Sequence, residues 1–277
     1  MGRSIPIAVS TGSLYPLPTL ESIQRLSELG IQDVELTLQA NEFFVTFDRK
    51  FSMPILPELL ALVQHGKLCV HSVHAPMIRA DRCYNLWARV KHLEHSIEVC
   101  RLLGGHVVVI HPEHLFRTYE DATGYLGDDG VSLHSVLLPG IEAILEQVRS
   151  ANIMLALENI QDWYDEIYFN SHQNMLKFLN EINHPSLQFT FDLMHAQVPG
   201  LLNDFTNSLA NQIVNVHVSD LLPPTKRVAI GKGIIDWDCF MPKLHALPNI
   251  CQLTVELSNP QDHELVDSVQ FLSKSML

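Results

Sequence analysis

Six residues with metal-ligating side chains stand at the ends of successive short apolar runs: His74, His111, Glu158, Asp192, His217 and Glu256. Taken singly, each is as readily a hydrogen-bonded core or loop residue. Taken together they pose an electrostatic problem. Apolar runs that repeatedly end in carboxylates concentrate negative charge in a poorly solvated place, at a cost on the order of several kcal/mol per group. A bound cation removes that cost. Glu158, Asp192, His217 and Glu256 offer three carboxylates and one imidazole, a set that suits an octahedral, oxygen-preferring divalent ion such as Mn2+ or Mg2+, with Zn2+ or Co2+ also compatible. His74 and His111 add nitrogen beside Glu158, either as a second metal position or as hydrogen-bonding partners of a substrate.

For these residues to meet, the runs must be neighbouring strands that point the same way. Strands are expected at 5–10, 33–38, 68–75, 106–111, 153–159, 187–192, 213–219 and 251–257. Helical periodicity follows each of them, near 19–30, 54–66, 86–103, 134–150, 171–183, 200–210, 237–246 and 262–276. This alternation calls for a parallel sheet covered by helices. Gly30 and Gly104 stand where helices should end, Pro54 and Pro139 fall in first turns, and Asp262 is placed to cap the last helix. Eight such units favour an α/β fold of the closed (β/α)8 barrel type, because closure removes both sheet edges and right-handed crossovers bring the chain round in order. An open doubly wound sheet would carry a glycine-rich turn after its first strand, and "STGSLYP" is not one. A length of 277 residues with no linker reads as a single barrel domain over 1–277. In such a barrel the carboxyl ends of the strands form the active mouth.

The surroundings narrow the chemistry. A net charge of -13 with no lysine or arginine cluster disfavours a nucleic-acid partner. No apolar run reaches the roughly 20 residues of a membrane span. The start, "MGRSIPIAVSTGSLYP", has neither a secretory apolar region nor a myristoylation pattern, so a cytoplasmic protein is expected. Five cysteines without CxxC spacing read as reduced thiols. Trp87, Trp163 and Trp237 are expected to pack helices on the sheet. Glu35 either reaches the site or pairs with a cation such as Arg79. Ser10 and Thr11 present hydroxyls at the end of the first strand. Residues 112–133 are expected to form a loop on the active face. Homo-oligomerisation is compatible with all of this.

The motifs "VHAP" (73–76), "VIHPE" (109–113), "LEN" (157–159), "FDLMHA" (191–196), "HVSD" (217–220), "RVAIGKGIIDW" (227–237) and "VEL" (255–257) occur in that order over nearly the whole chain. As an ordered set they resemble the xylose isomerase-like TIM barrels, the superfamily of sugar isomerases and epimerases that also contains the endonuclease IV type nucleases. The resemblance implies a metal held by Glu158, Asp192, His217 and Glu256. It also implies that Glu158 and Glu256 are catalytic, moving protons from opposite sides of a carbon next to a carbonyl. His195 and Arg227, with His74 and His111, would bind the substrate, and Asp220 would support His217. Abstraction of such a proton needs a base, an acid and a positive charge for the enediolate. The expected activity is that of a metal-dependent isomerase or epimerase of a sugar, sugar phosphate or related small hydroxy-carbonyl compound. The alternative is a metal-dependent phosphodiesterase acting on abasic DNA. That branch takes two further ligands from an Asp-x-His-x-x-Ile-Gly pattern, where this chain has Thr225 and Arg227. A third alternative is a barrel that keeps the metal site without isomerase activity.

Overall fold

Val107–Ile110 illustrates how the sheet is built. All of its residues are buried, but on two sides: Val108 and Ile110 join the large core beneath the helices, whereas Val107 and Val109 pack with Ala156 and Val214 in a separate cluster. Apolar side chains on both faces of a strand belong to a parallel sheet that is covered on one side and closed on itself on the other. In the computed structural model this closure is complete. Residues 5–42, 44–45, 51–76, 86–116, 132–137, 140–160, 170–196, 199–222 and 226–276 are described by it.

The eight barrel strands are β1 (Ile7–Ser10), β2 (Asp33–Thr37), β3 (Cys69–His74), β4 (Val107–Ile110), β5 (Met154–Glu158), β6 (Leu187–Asp192), β7 (Ile213–Val218) and β8 (Gln252–Val255). All pair in parallel, and β1 closes the ring on β8 through Ile7↔Leu253 and Val9↔Val255. The main helices are α1 (Thr19–Glu28), α2 (Leu56–Gln64), α3 (Leu86–Leu103), α4 (Ile141–Ser150), α5 (His172–Ile182), α6 (Pro199–Ser208), α7 (Trp237–His245) and α8 (Asp262–Ser275). Each overlaps a segment expected from periodicity. Two register irregularities matter for the site. Between β2 and β3 the pairing passes from Val34↔Val70 to Glu35↔Ser72, and between β6 and β7 from Phe189↔Ile213 to Thr190↔Asn215. Such one-residue insertions re-aim the side chains that follow.

Helix ends explain where expectation and structure differ. Gly30, at φ 77°, lets the amides of Gly30 and Ile31 return to the carbonyls of Ser27 and Leu26 and so close α1. The fourth helix starts at Ile141, not at 134, because Gly140 sits at φ 85° and breaks the run after a short turn at Leu133–Val136. α2 takes Pro57 in its first turn, with Pro54 ahead of the helix. Asp262 does not cap α8: Gln261 and Glu264 form a reciprocal capping box, and Asp262 pairs with Arg25 at 2.7 Å. Pro139, Arg79, Trp163, Cys83, Thr225 and most of the 112–133 stretch lie outside the described residues. No described helix is long and apolar enough to cross a membrane.

Candidate functional site

Parallel strands deliver their last residues to one rim, and there the six expected side chains gather around Glu158. This residue ends β5 and is buried. Its Oε2 lies 3.1 Å from His74 Nε2 and 3.3 Å from His111 Nε2. Its Oε1 lies 3.3 Å from His195 Nδ1 and 3.4 Å from His217 Nδ1. Burial pushes its carboxyl up, but the His217 charge and the close imidazoles of His111 and His195 outweigh that and hold it well below the usual carboxylate range.

Asp192 ends β6, and its position is fixed through the backbone. The Asn159 side chain accepts from the Asp192 amide at 2.8 Å and donates to its carbonyl at 2.9 Å, joining the ends of β5 and β6. Asp192 Oδ1 accepts from the His195 amide at 2.9 Å at the start of the short Leu193–Ala196 turn. His195 in turn donates from Nδ1 to the Asn159 carbonyl at 2.6 Å. Burial raises the Asp192 carboxyl above its ordinary value, against the opposing pull of Arg227 and His195.

Arg227 sits on the antiparallel ribbon formed by Asp220–Leu222 and Lys226–Val228. Its guanidinium spans two acids, with Nη2 2.7 Å from Asp192 Oδ2 and Nη1 bonded to Glu256 Oε2. Nη2 also lies 3.3 Å from His195 Nε2. The expected cationic fork is therefore engaged on carboxylates, because buried acids left unpaired would cost more than the arginine loses by being held. Glu256, just past β8, keeps its side chain 21% exposed toward the mouth. Against the effect of burial, Arg227 and His217 hold its carboxyl well below the ordinary value.

His217, the fifth residue of β7, is clamped from below. Nε2 lies 3.0 Å from Glu35 Oε1 and hydrogen-bonds Oε2 at 3.3 Å, and since a carboxylate can only accept, Nε2 carries the proton. Nδ1 then points at Glu256 Oε2 (3.2 Å), Glu158 Oε1 (3.4 Å) and Asp192 Oδ2 (3.8 Å) and makes no hydrogen bond. Burial opposes its charge, but Glu35, Glu158 and Glu256 raise its pKa well above the ordinary histidine value. An acceptor nitrogen aimed into three carboxylates needs a positive charge between them. A proton supplies one, and a divalent cation would satisfy all four donors at once. The ligand atoms of Glu158, Asp192, His217 and Glu256 lie within 4.8 Å of one another, as do those of His74, His111 and Glu158. The residues present thus fit a divalent metal on donor chemistry as well as on proximity.

Several expectations change. Asp220 does not support His217; its carboxylate turns into the following loop and accepts from the amides of Leu221, Gly231 and Ile235 and from Trp237 Nε1 at 2.8 to 3.1 Å. The support is Glu35, which also accepts from Ser72 Oγ at 2.7 Å and from Asn215 Nδ2 at 3.1 Å. Ser10 and Thr11 tie β1 to Thr37 of β2 through their hydroxyls. Trp237 packs edge-on against Phe240 of its own helix and Phe271 of α8, a helix–helix contact where packing of a helix on the sheet was expected. His114 was missed: it holds the loop after β4, accepting from the His111 amide and donating to the Pro76 carbonyl at 3.0 Å. At the opposite rim Asp33, Cys69 and His71 also cluster, around a His71 to Asp33 contact of 2.7 Å.

Residues 23–275 match the family described as Xylose isomerase-like TIM barrel. An uncharacterized protein of Mycobacterium leprae is 21% identical, covering 99% of this chain and 98% of its own. Among solved structures, a D-tagatose 3-epimerase-like protein superposes with a TM-score of 0.71 at 19% identity over 98% of this chain and 97% of the other. An AP endonuclease, family 2, from Brucella melitensis gives a TM-score of 0.67 at 12% identity over 96% and 99%. At these identities the superpositions speak for the barrel alone.

Proposed function

Since the chain belongs to the xylose isomerase-like TIM barrel family, we propose that it is a divalent-metal-dependent isomerase or epimerase of a small hydroxy-carbonyl sugar or sugar phosphate. The observation that carries this reading is the position of Arg227, bonded to both Asp192 and Glu256. A nuclease of the same superfamily would need a metal-ligating histidine at that point of the sequence. An arginine cannot ligate, but it offers a fixed cationic fork to hydroxyls or phosphate.

A divalent cation held by Glu158, Asp192, His217 and Glu256 would supply the positive charge that a developing enediolate needs. The rest is done by the chain. Glu158 is kept ionised by the imidazoles around it, the state a base requires before it takes a proton. Glu256, on the far side of the mouth and partly exposed, stands ready to exchange the second proton. His195 and Arg227 bind and orient substrate oxygens, and His74 and His111 line the side nearest Glu158. Burial of Glu158 shields the developing enediolate from bulk water, while the partial exposure of Glu256 lets the proton it delivers come from solvent, so that substrate turned over in deuterated water becomes labelled.

The test is incubation of the Mn2+-loaded protein with a panel of ketoses and ketose phosphates in deuterated water, read by mass spectrometry. Deuterium should enter one carbon next to the carbonyl. A metal-loaded, folded protein that labels no member of the panel but cleaves abasic duplex DNA would reverse the assignment.

A further inference from the structure

We propose that Glu35 is a positioning residue that fixes the tautomer and the ring orientation of His217 and thereby sets the affinity of the site for its divalent cation. The inference rests on the metal-dependent reading above. Glu35 comes from β2 and His217 from β7, strands separated in the ring by β1 and β8. Their contact therefore crosses the barrel interior, where both residues are fully buried. Among the described residues, His217 is the ion-pair partner of Glu35. Ser72 and Asn215 complete the cradle, and Gln252 and Thr254 extend it: Gln252 Nε2 donates to Ser72 Oγ at 2.6 Å, and Thr254 Oγ1 donates to Asn215 Oδ1 at 3.0 Å.

A glutamine could serve the hydroxyl and amide of Ser72 and Asn215 with a smaller desolvation cost. What a carboxylate alone guarantees is that His217 Nε2 faces an acceptor and must carry hydrogen. That leaves Nδ1 as the bare atom pointed at Glu158, Asp192 and Glu256. With an amide in its place, the NH2 group could donate to Nε2 and shift the proton to Nδ1, blocking the lone pair that a cation needs. Partners of this kind, placed behind a ligating histidine, control its basicity and direction.

The experiment is equilibrium dialysis against Mn2+ for wild type, Glu35→Gln and Ser72→Ala, with circular dichroism to confirm the fold. Glu35→Gln should raise the Mn2+ Kd about 10- to 100-fold, while Ser72→Ala, which removes a bond to the same carboxylate but spares its contact with His217, should stay within about threefold of wild type. A folded Glu35→Gln that binds like wild type overturns the inference, and so does equal weakening in both variants. Should Glu35→Gln fail to fold, NMR of the imidazole nitrogens in Zn2+-loaded wild type decides: a His217 proton on Nε2 supports the role and a proton on Nδ1 overturns it. A wild type that binds neither ion overturns the metal reading itself and this inference with it. Indifference of Glu35→Gln on a metal-binding wild type overturns only the inference.

Discussion

Substitution of Arg227 by Met separates the two ways in which the acidic mouth can be neutralised. The guanidinium is 2.7 Å from Asp192, whose carboxylate is buried, and is bonded to Glu256, which is partly exposed. Removing one partner of a buried pair costs about 3–5 kcal/mol, because the other charge is left behind. Screening of Glu256 by solvent places the expected loss near the lower end, about 3 kcal/mol. For a chain of this size each kcal/mol moves Tm by roughly 2–4 °C, so unfolding in the presence of a chelator should come roughly 6–12 °C earlier. Under the metal-dependent reading Mn2+ should take over the neutralisation and bind the variant more tightly than the wild type, since the competing cation is gone. At saturation the gap closes by the logarithm of the affinity ratio, about 1.4 kcal/mol per tenfold, so Mn2+ bound roughly tenfold more tightly by the variant should close about half of it. Differential scanning calorimetry of both proteins, with chelator and with Mn2+, provides the measurement. A Tm gap of the same size in both conditions would show that Arg227 and the cation do not share these carboxylates, and the electrostatic argument would fail.

Glu158→Gln and Glu256→Gln should each lower the rate of deuterium exchange into substrate by about 10^2- to 10^4-fold with an unchanged circular dichroism spectrum, as expected of general acid–base groups; near-full exchange in either variant removes that residue from the chemistry. Asp220→Ala strips one carboxylate from four donors, including Trp237 Nε1. Urea denaturation should show a loss of at least about 3 kcal/mol, partly recovered in Asp220→Asn, which keeps one acceptor. His92, in α3, is held to about 4 by burial and by the neighbouring His95. Because the unfolded chain binds this proton and the folded one does not, the contribution is complete above about pH 6.5 and is lost as pH falls toward 4. The loss should reach up to about 2 kcal/mol after allowing for solvent screening. A His92→Phe variant whose stability falls just as steeply between these pH values would rule His92 out as the source.

The strands were legible because each is a short run with apolar residues, most of them rich in β-branched side chains, and in β4 every residue is buried. The ring of ligand-type residues was legible because parallel strands all end at the same rim, so residue type at the end of a run translates directly into place. What lay behind that ring was legible only in part: Glu35 was expected to reach the site or to pair with a cation such as Arg79, but its partner His217 was not foreseen. Glu35 and His217 are 182 positions apart, and their meeting depends on strand order around the closure and on insertions such as the one before Asn215. Neither leaves a periodic trace in the sequence. Asp220 was misassigned for the opposite reason. It is near His217 in sequence, but the chain leaves the barrel between them, and the side chain serves the ribbon and the glycine-containing loop beyond. Gly233 shows how tightly that loop wraps the acid, since a Cβ there would collide with Asp220 Oδ1 and the Leu221 carbonyl.

Arg227 also limits how many cations the mouth could accept. Every group that could neutralise Asp192 is shared: Oδ1 is turned to the His195 amide, and Oδ2 faces both Arg227 and His217. A permanently charged guanidinium cannot become a ligand at any accessible pH, and it repels a further ion placed beside His195. Under the metal-dependent reading, the cation is thereby limited to the pocket between Glu158, Asp192, His217 and Glu256, with His74 and His111 beside Glu158. The side formed by His195 and Arg227 is left to hydrogen bonds and anion contacts. That asymmetry suits a substrate with two oxygens for a metal at one end and hydroxyls or a phosphate at the other. It does not suit in-line attack on a phosphodiester, which calls for metal on both the attacking and the leaving oxygen.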